Sequence, residues 1–518
     1  MIRRRAVLAG ASLLAAPAVA FAASPVVQTT AGRVRGFTDR GIQVFKGIPY
    51  GADTAPRRFQ PALPVSAWKG VRDAFEYGPS APQARETGPV SEDCLVLNVW
   101  TPGTDKAKRP VMVYFHGGEY SAGSGSDPIY DGVNLCRHGD VVLVTVNHRL
   151  AVLGHLFLAR LAGPAYATSG NVGILDLVLA LHWVRDNIAA FGGDPACVTV
   201  FGQSGGGAKI ATLMAMPAAK GLFHRAITMS GQQVTASGPN AAHARTLAFL
   251  DALNIPPARA ADVVSVPLPK LIAAMAAADP TVPRSSLYWG PVLDEAALPR
   301  HPFYPDAPAQ SAHIPMMIGN TLDETRFFFR NDASVFALTW ETLPARLAIE
   351  LRVDIDPHLV LTEYRKLYPV ASPVEIYFAA TTAGRSWRGA VVEAEMRAAS
   401  GVPAFMYQLN WRSPVDNGVW GAAHTLDIPL AFRNTAHPKA LSGNSEAAQT
   451  VSAQISDAFL NFASTGNPNH AGIPQWAPYD LTARQTLLFD VPPVLASDPR
   501  GDERRLFAKV PFIQKGTL

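Results

Sequence analysis

The twenty residues from Cys197 to Met216, C-V-T-V-F-G-Q-S-G-G-G-A-K-I-A-T-L-M-A-M, constrain this chain more than any other stretch. Val198, Thr199, Val200 and Phe201 have the composition of a buried strand. Ala208, Ile210, Ala211, Leu213 and Met214 read as a packed helix. Between them lies Gly202-Gln203-Ser204-Gly205-Gly206. A serine on a sharp strand-to-helix turn sits at strained backbone angles, and its near neighbours must lack bulk. Glycines two before and two after it remove that bulk. The turn lifts the hydroxyl clear of a sheet, and the helix N-terminus offers N–H groups to a developing anion. The five-residue pattern also occurs in ordinary turns. Its setting between strand and helix selects Ser204 as a nucleophile.

The rest of the chain supplies a matching frame. Thr30 to Tyr50 alternates polar and apolar residues with glycine punctuation, which predicts antiparallel edge strands. Leu95–Trp100 is a further strand. Val111–Phe115 and Val141–Val146 are continuous apolar runs, as in parallel strands covered on both faces. Asn171–Ile188 has helical periodicity, with Leu175, Leu179 and Trp183 on one stripe. Ala226–Met229, Ile314–Ile318 and Pro403–Leu409 read as later strands. Strands alternating with helices predict an α/β fold with a mostly parallel sheet between helical layers. Residues 240–285 and 333–400 read as helical insertions on one domain, since no flexible linker bounds them.

Composition narrows the function classes. With 518 residues, 48% of them hydrophobic, the chain can bury a large core. The formal net charge of +4 comes from 45 basic and 41 acidic residues, and Arg3, Arg4 and Arg5 supply much of the excess. No basic cluster interleaved with aromatics is present, so nucleic acid is not an expected partner. Those arginines precede an apolar stretch to about Val19 and an Ala20-Phe21-Ala22 site, the pattern of a cleavable export signal over residues 1–22. Arg4-Arg5 also resembles the twin-arginine pattern. A periplasmic or secreted protein is expected, residues 23–518 forming one domain. That apolar stretch is too short for a stable membrane span, and no other run is expected to be long enough. Cys94, Cys136 and Cys197 are too few for a disulfide framework, and Cys136 and Cys197 are expected to be buried apolar residues. Neither a metal-ligand cluster nor a dinucleotide fingerprint appears, so no cofactor is expected.

A serine hydroxyl needs a base, and the base an orienting acid. Gly319-Asn320-Thr321-Leu322-Asp323-Glu324 follows a strand and offers Glu324 or Asp323 as the acid. Gly421-Ala422-Ala423-His424 follows another, and its small residues leave room for an imidazole. His437 and His470 lie in polar loops away from strand ends. Phe115-His116-Gly117-Gly118-Glu119 is a glycine turn at a strand end, suited to presenting backbone N–H groups to an oxyanion. The glycine-rich Ala122–Ser126 lacks the lysine of a phosphate loop.

Taken together these motifs resemble the type-B carboxylesterase family of α/β-hydrolases, which includes cholinesterases and bacterial para-nitrobenzyl esterases. The resemblance also rests on Phe45–Tyr50, Ser91–Trp100, Val146–Leu150, Asn171–Asp176 and Ala190–Pro195. It implies an α/β-hydrolase fold with helical insertions over the site. It implies Ser204 as nucleophile, Glu324 as acid and His424 as base. It implies oxyanion donors at the backbone N–H groups of Gly118, Glu119 and Gly205, and a supporting role for Ser230.

Departures from the family pattern are as informative. Gln203 stands where the family usually has glutamate, and Glu119 where it usually has glycine or alanine. Cys94 matches half of a family disulfide, but Ala81 occupies the partner position, so Cys94 is expected to be free. No aromatic residue lies between Ala81 and Cys94, so a cation–π site for quaternary ammonium is not expected. The implied activity is hydrolysis of a small-molecule carboxylic ester through an acyl-enzyme. Amides, carbamates and lactones are alternatives for the same triad. A non-catalytic binding protein of this fold is disfavoured by the complete set of groups.

Overall fold

The computed structural model describes residues 24–84, 88–514 and 516–517. The expected export segment, residues 1–22, lies outside them. One sheet of eleven strands dominates the fold. Its strands are β1 Phe37–Asp39, β2 Ile42–Pro49, β3 Val96–Thr101, β4 Arg109–Phe115, β5 Val142–Val146 and β6 Gly193–Gln203. They continue as β7 Arg225–Met229, β8 Met316–Thr321, β9 Ala404–Leu409, β10 Gln485–Phe489 and β11 Val494–Ser497. The spatial order is β11-β10-β9-β8-β7-β6-β4-β5-β3-β2-β1. From β5 to β10 every neighbouring pair is parallel, while β1–β2, β2–β3, β3–β5 and β10–β11 are antiparallel. This is the α/β-hydrolase architecture that the sequence implied.

Period-2 alternation distributes each strand between two cores. Val111, Val113 and Phe115 of β4 join one apolar cluster, and Met112 and Tyr114 join the other. The first cluster also takes the helix α1, Val172–Asn187, and the helix α2, Gly205–Ala215. The second lies under α3, Glu446–Thr465. Both faces are covered, which is why the central strands read as unbroken apolar runs. The second insertion sends Ile376, Tyr377, Ala380 and Val391 into the first cluster. The first insertion builds a smaller core of its own around Phe249, Leu271 and Trp289, tied by the buried Arg245–Asp279 pair at 2.7 Å.

Three expectations need correction. In α1 the stripe Leu175, Leu179 is only half buried, while Ile174, Leu177, Leu181 and Val184 are fully buried. This helix is apolar on nearly all sides because it is wedged between sheet and insertions. For the same reason the continuous stretch Pro164–Phe191, 28 residues with mean hydropathy 1.2, does reach spanning length and apolarity, contrary to expectation. Of its most apolar 18 residues 72% are buried inside the protein, so it is a core helix. Cys136 is buried but lies in the short helix Val133–Gly139, and Cys197 is only partly buried, with its sulfur 3.2 Å from Arg225 Nη1. Cys94 is buried and free as expected, and burial pushes its thiol pKa well up.

Candidate active site

Chain order in the sheet reverses where β6 pairs with β4 rather than β5, with Gly202 opposite Phe115. Loops leaving the carboxyl ends of such adjacent strands diverge and open a crevice. Here they are the glycine loop after Phe115 and the turn at Ser204. Ser204 has φ +56° and ψ −126°, strained for a residue with a side chain. The fit around it is close. A Cβ on Gly206 would stand 1.9 Å from the Phe115 carbonyl oxygen, and one on Gly202 2.6 Å from the Gly206 carbonyl carbon. The Ser204 N–H donates to Met229 O at 2.7 Å, which ties the turn to β7.

Strained non-glycine residues cluster at this spot. Glu119 has φ +54°, Ser230 φ +52° and Thr425, next to His424, φ +74°. Each costs on the order of 1–3 kcal/mol, and such residues persist only where the surroundings over-determine them.

The glycine loop is fixed from behind. His116 is buried and stacked on His148 with centroids 5.0 Å apart. Burial, with the nearby Lys209 charge, pushes the His116 pKa well down, so the ring is neutral. Its Nδ1–H donates to the Gly117 carbonyl at 2.8 Å, because a carbonyl can only accept. Lys209, on the buried side of α2, donates to His116 O at 2.9 Å and has its own pKa lowered to about 7 by burial. The Gly118 carbonyl accepts from Ala122 N–H at 3.0 Å. Among the described residues, the N–H groups of Gly118, Glu119 and Gly205 donate to no protein acceptor. Two of them lie close together, since a Cβ on Gly205 would lie 2.5 Å from Glu119 N.

His424 and Glu324 come together from the loops after β9 and β8. His424 Nδ1 contacts Glu324 Oε2, and Glu324 Oε1 accepts the Thr321 N–H at 2.7 Å. A carboxylate acceptor requires the proton on Nδ1, which leaves Nε2 as an acceptor. Gln203 Nε2 lies 3.2 Å from Nε2 and 3.4 Å from Nδ1 of that ring. Near-equal distances put the amide over the imidazole face, out of line with the Nε2 lone pair. Phe328 flanks the ring with centroids 5.1 Å apart. Asp323, the other candidate acid, turns away: Oδ2 accepts the Ala422 N–H at 3.0 Å and faces Arg412 at 3.4 Å. His437 and His470 stay apart, each bonded to nearby backbone.

A second carboxyl stands close to this pair. Asp427 is fully buried, and burial together with the Glu324 charge pushes its pKa up to about 8. At neutral pH Asp427 is therefore held mainly in its protonated form.

One cleft contains Ser204, Glu324, His424, Glu119, Gly205 and Ser230. Sequence reasoning missed its wall, which includes Gln232, Gln233, Tyr288, Arg352, Arg385 and Gln514. Among the described residues, no His, Cys, Asp or Glu group could hold a metal ion. The arrangement offers a hydroxyl, an oriented imidazole and closely placed free N–H donors, the equipment of acyl transfer.

The carboxylesterase family profile matches residues 23–505. A para-nitrobenzyl esterase of Bacillus subtilis is 36% identical over 93% of this chain and 98% of its own length. The phenmedipham hydrolase of Pseudarthrobacter oxydans is 33% identical over 92% of this chain and 96% of its own. A solved carboxylesterase from Geobacillus stearothermophilus superposes with TM-score 0.84 at 38% identity, covering 93% of this chain and 99% of its own. With its fold, its sequence and its cleft in agreement, this chain belongs to the carboxylesterase family and is a carboxylic ester hydrolase.

Proposed function

We propose that hydrolysis runs through an acyl-enzyme on Ser204, with His424 as base and Glu324 as its orienting acid. In this reading Ser204 Oγ attacks the ester carbonyl while its proton passes to His424 Nε2. The C–O bond to the alcohol then breaks, and the imidazolium returns the proton to the leaving oxygen. Water, deprotonated by the same imidazole, cleaves the acyl-enzyme and frees Ser204. The N–H groups of Gly118, Glu119 and Gly205 hold the oxyanion at both tetrahedral stages. The observation that carries the reading is the shared cleft: unclaimed N–H donors meet a strained serine beside a histidine already oriented by a carboxylate.

Ser204→Ala tests it. The variant is expected to fold and to lose on the order of a million-fold in rate, and with it labelling by a fluorophosphonate. Retention of more than about a tenth of the wild-type rate refutes Ser204 as nucleophile.

We also propose that residues 1–22 are a cleavable export signal and that the enzyme is periplasmic or secreted. Support comes from the three arginines, the apolar stretch and the Ala20-Phe21-Ala22 site. Mass spectrometry of the extracytoplasmic protein is expected to give a chain starting near Ala23. An intact Met1 on the soluble cytoplasmic enzyme would reject the proposal.

A further inference from the structure

The wall of the cleft carries two guanidinium groups whose charges the protein matches only in part. Arg385 lies in the wide π-turn Ala383–Trp387, between the helices Pro373–Thr382 and Arg388–Ala399. Its side chain is only 18% exposed and stacks over the Phe328 ring at 4.0 Å. Its nearest carboxylate is Glu119, with 3.6 Å between Nη2 and Oε1, beyond hydrogen-bond reach. Among the described residues, Arg385 makes no hydrogen bond to a protein acceptor, whereas buried guanidinium groups normally have several. Arg352 is exposed at φ +57° and lines the same cleft with neither ion pair nor hydrogen bond among the described residues.

Backbone packing brings the two together. Gly384 sits so close to the C-terminal end of the helix Leu343–Glu350 that a Cβ there would stand 2.3 Å from Leu351 O. Arg352 follows Leu351 and Arg385 follows Gly384, so this one contact sets both arginines on the cleft. Their mutual repulsion is registered in the Arg385 pKa, which burial first and Arg352 second lower to about 10, so Arg385 remains charged at neutral pH.

Neighbouring amides do not answer those charges. Gln233 Oε1 accepts from Tyr120, Gln232 Oε1 accepts from Ser386, and Gln514 Oε1 accepts the Val234 N–H. Their oxygens are thus committed elsewhere. An anion entering the cleft would meet two cations set against the half-exposed Glu119 carboxylate and the buried Glu324, which is already committed to His424, and would supply the planar acceptor that a buried guanidinium fits.

We propose that the cleft is a subsite for esters carrying a free carboxylate, held by Arg385 and Arg352 while Ser204 attacks the ester carbonyl. The proposal rests on the esterase reading of Ser204. Its chemistry is unchanged: one water is added and one ester bond cleaved. The carboxylate can belong to the acyl side, as in a monoester of a dicarboxylic acid, or to the alcohol side, as in an acylated hydroxy acid.

The experiment compares kcat/KM for monoethyl succinate, glutarate and adipate with the corresponding diethyl esters, and for 3-acetoxypropanoate with butyl acetate. At least one anionic ester is expected to match or exceed its neutral counterpart, and added salt to erode that advantage. The set in which this occurs tells acyl side from alcohol side. Arg352→Gln is expected to lower the anionic-to-neutral ratio about tenfold, Arg385→Gln at least as much, and Glu119→Gln to raise it. Arg352 is on the surface, so its variant decides the matter if Arg385→Gln fails to fold. Anionic esters uniformly about tenfold or more below neutral ones, with a ratio indifferent to Arg352→Gln, would overturn the subsite while leaving the esterase intact. Turnover of neither class, with Ser204 unlabelled by fluorophosphonate, would instead overturn the esterase reading and the subsite with it.

Discussion

The floor and the wall of the cleft are made by different means. The floor is main chain: Ser204, Glu119, Ser230 and Thr425 are all held at positive φ in the turns and loops that follow strands, and glycines fit against carbonyls within contact distance. The wall is side chain. Arg352, Arg385, Tyr288 and Gln514 come from the insertions and from near the C-terminus, and they reach the cleft by the length of their side chains. A floor set by backbone admits little variation, because moving one atom moves the hydroxyl, the donors and the imidazole together. A wall set by side chains can be rewritten one residue at a time. Substitutions in the floor are therefore expected to lower turnover of every substrate, and those in the wall to redistribute turnover among substrates.

Gly206→Ala probes the floor most sharply after loss of the serine itself. The new methyl would fall 1.9 Å from the Phe115 carbonyl oxygen, a backbone atom that cannot swing aside. The glycine loop or the turn must shift, and a displacement of about an ångström costs on the order of a hundredfold in rate. The expected result is that loss on neutral and anionic esters alike, with a lower melting temperature. Retained activity would show that the floor is more compliant than its contacts suggest.

Floor and wall also differ in how much of them the sequence disclosed. The floor motifs carry their own geometry: Ser204 lies between β-branched and helix-forming residues, and three small residues, Gly421-Ala422-Ala423, precede His424 in the loop beyond a late strand. Between Asp323 and Glu324 the local pattern left the choice open, and only the family resemblance implied Glu324. The structure separates them through their neighbours, with Glu324 reaching His424 and Asp323 bonded to Ala422 N. No local pattern encodes that, because the two are adjacent and of one charge. Arg352 and Arg385 are harder still. Thirty-three positions separate them in the chain, and it is the folded packing, with Gly384 against Leu351, that brings them together. Even the wide turn bearing Arg385 sits in a sequence that reads as continuous helix.

A second test concerns the charge stored beneath the floor. Asp427, pushed up to about 8 in the folded protein, has an ordinary carboxyl pKa of about 4 when unfolded. The folded state therefore holds its proton more tightly. That contribution is fully present below about pH 4 and is lost as pH rises through about 8. Asp427→Asn removes it, so melting temperatures of variant and wild type are expected to diverge in favour of the variant as pH rises from about 5 to 8. The dependence will not vanish, because burial likewise raises Glu393 to about 8. Lys209 acts in the opposite sense: lowered to about 7, it disfavours the folded state below that pH and relents above it. Parallel curves for Asp427→Asn and wild type would mean that Asp427 is ionised beside Glu324.

Glu119 belongs to floor and wall at once, and its substitution is expected to have the smallest effect of the series. Its N–H is one of the unclaimed donors, and its side chain is half exposed and turned toward Arg385. A carboxylate aimed at the oxyanion would oppose the charge that builds there by roughly 1 kcal/mol in water and several times that in a drier site. Turned onto Arg385, it is spent against a cation instead. Glu119→Gln keeps the backbone and the side-chain shape and removes only the charge. On a neutral ester the rate is expected to change by less than about tenfold, or roughly 1.4 kcal/mol. A larger gain would mean that the carboxylate faces the oxyanion, and a larger loss that it takes part in binding or catalysis. Glu119→Gly adds a separate reading of the floor, because glycine occupies φ +54° without the strain of a side chain. It is expected to raise stability by about 1 kcal/mol if the loop keeps its shape, which denaturant melts would register. A less stable protein would show that the Glu119 side chain, through Arg385, holds the wall in place.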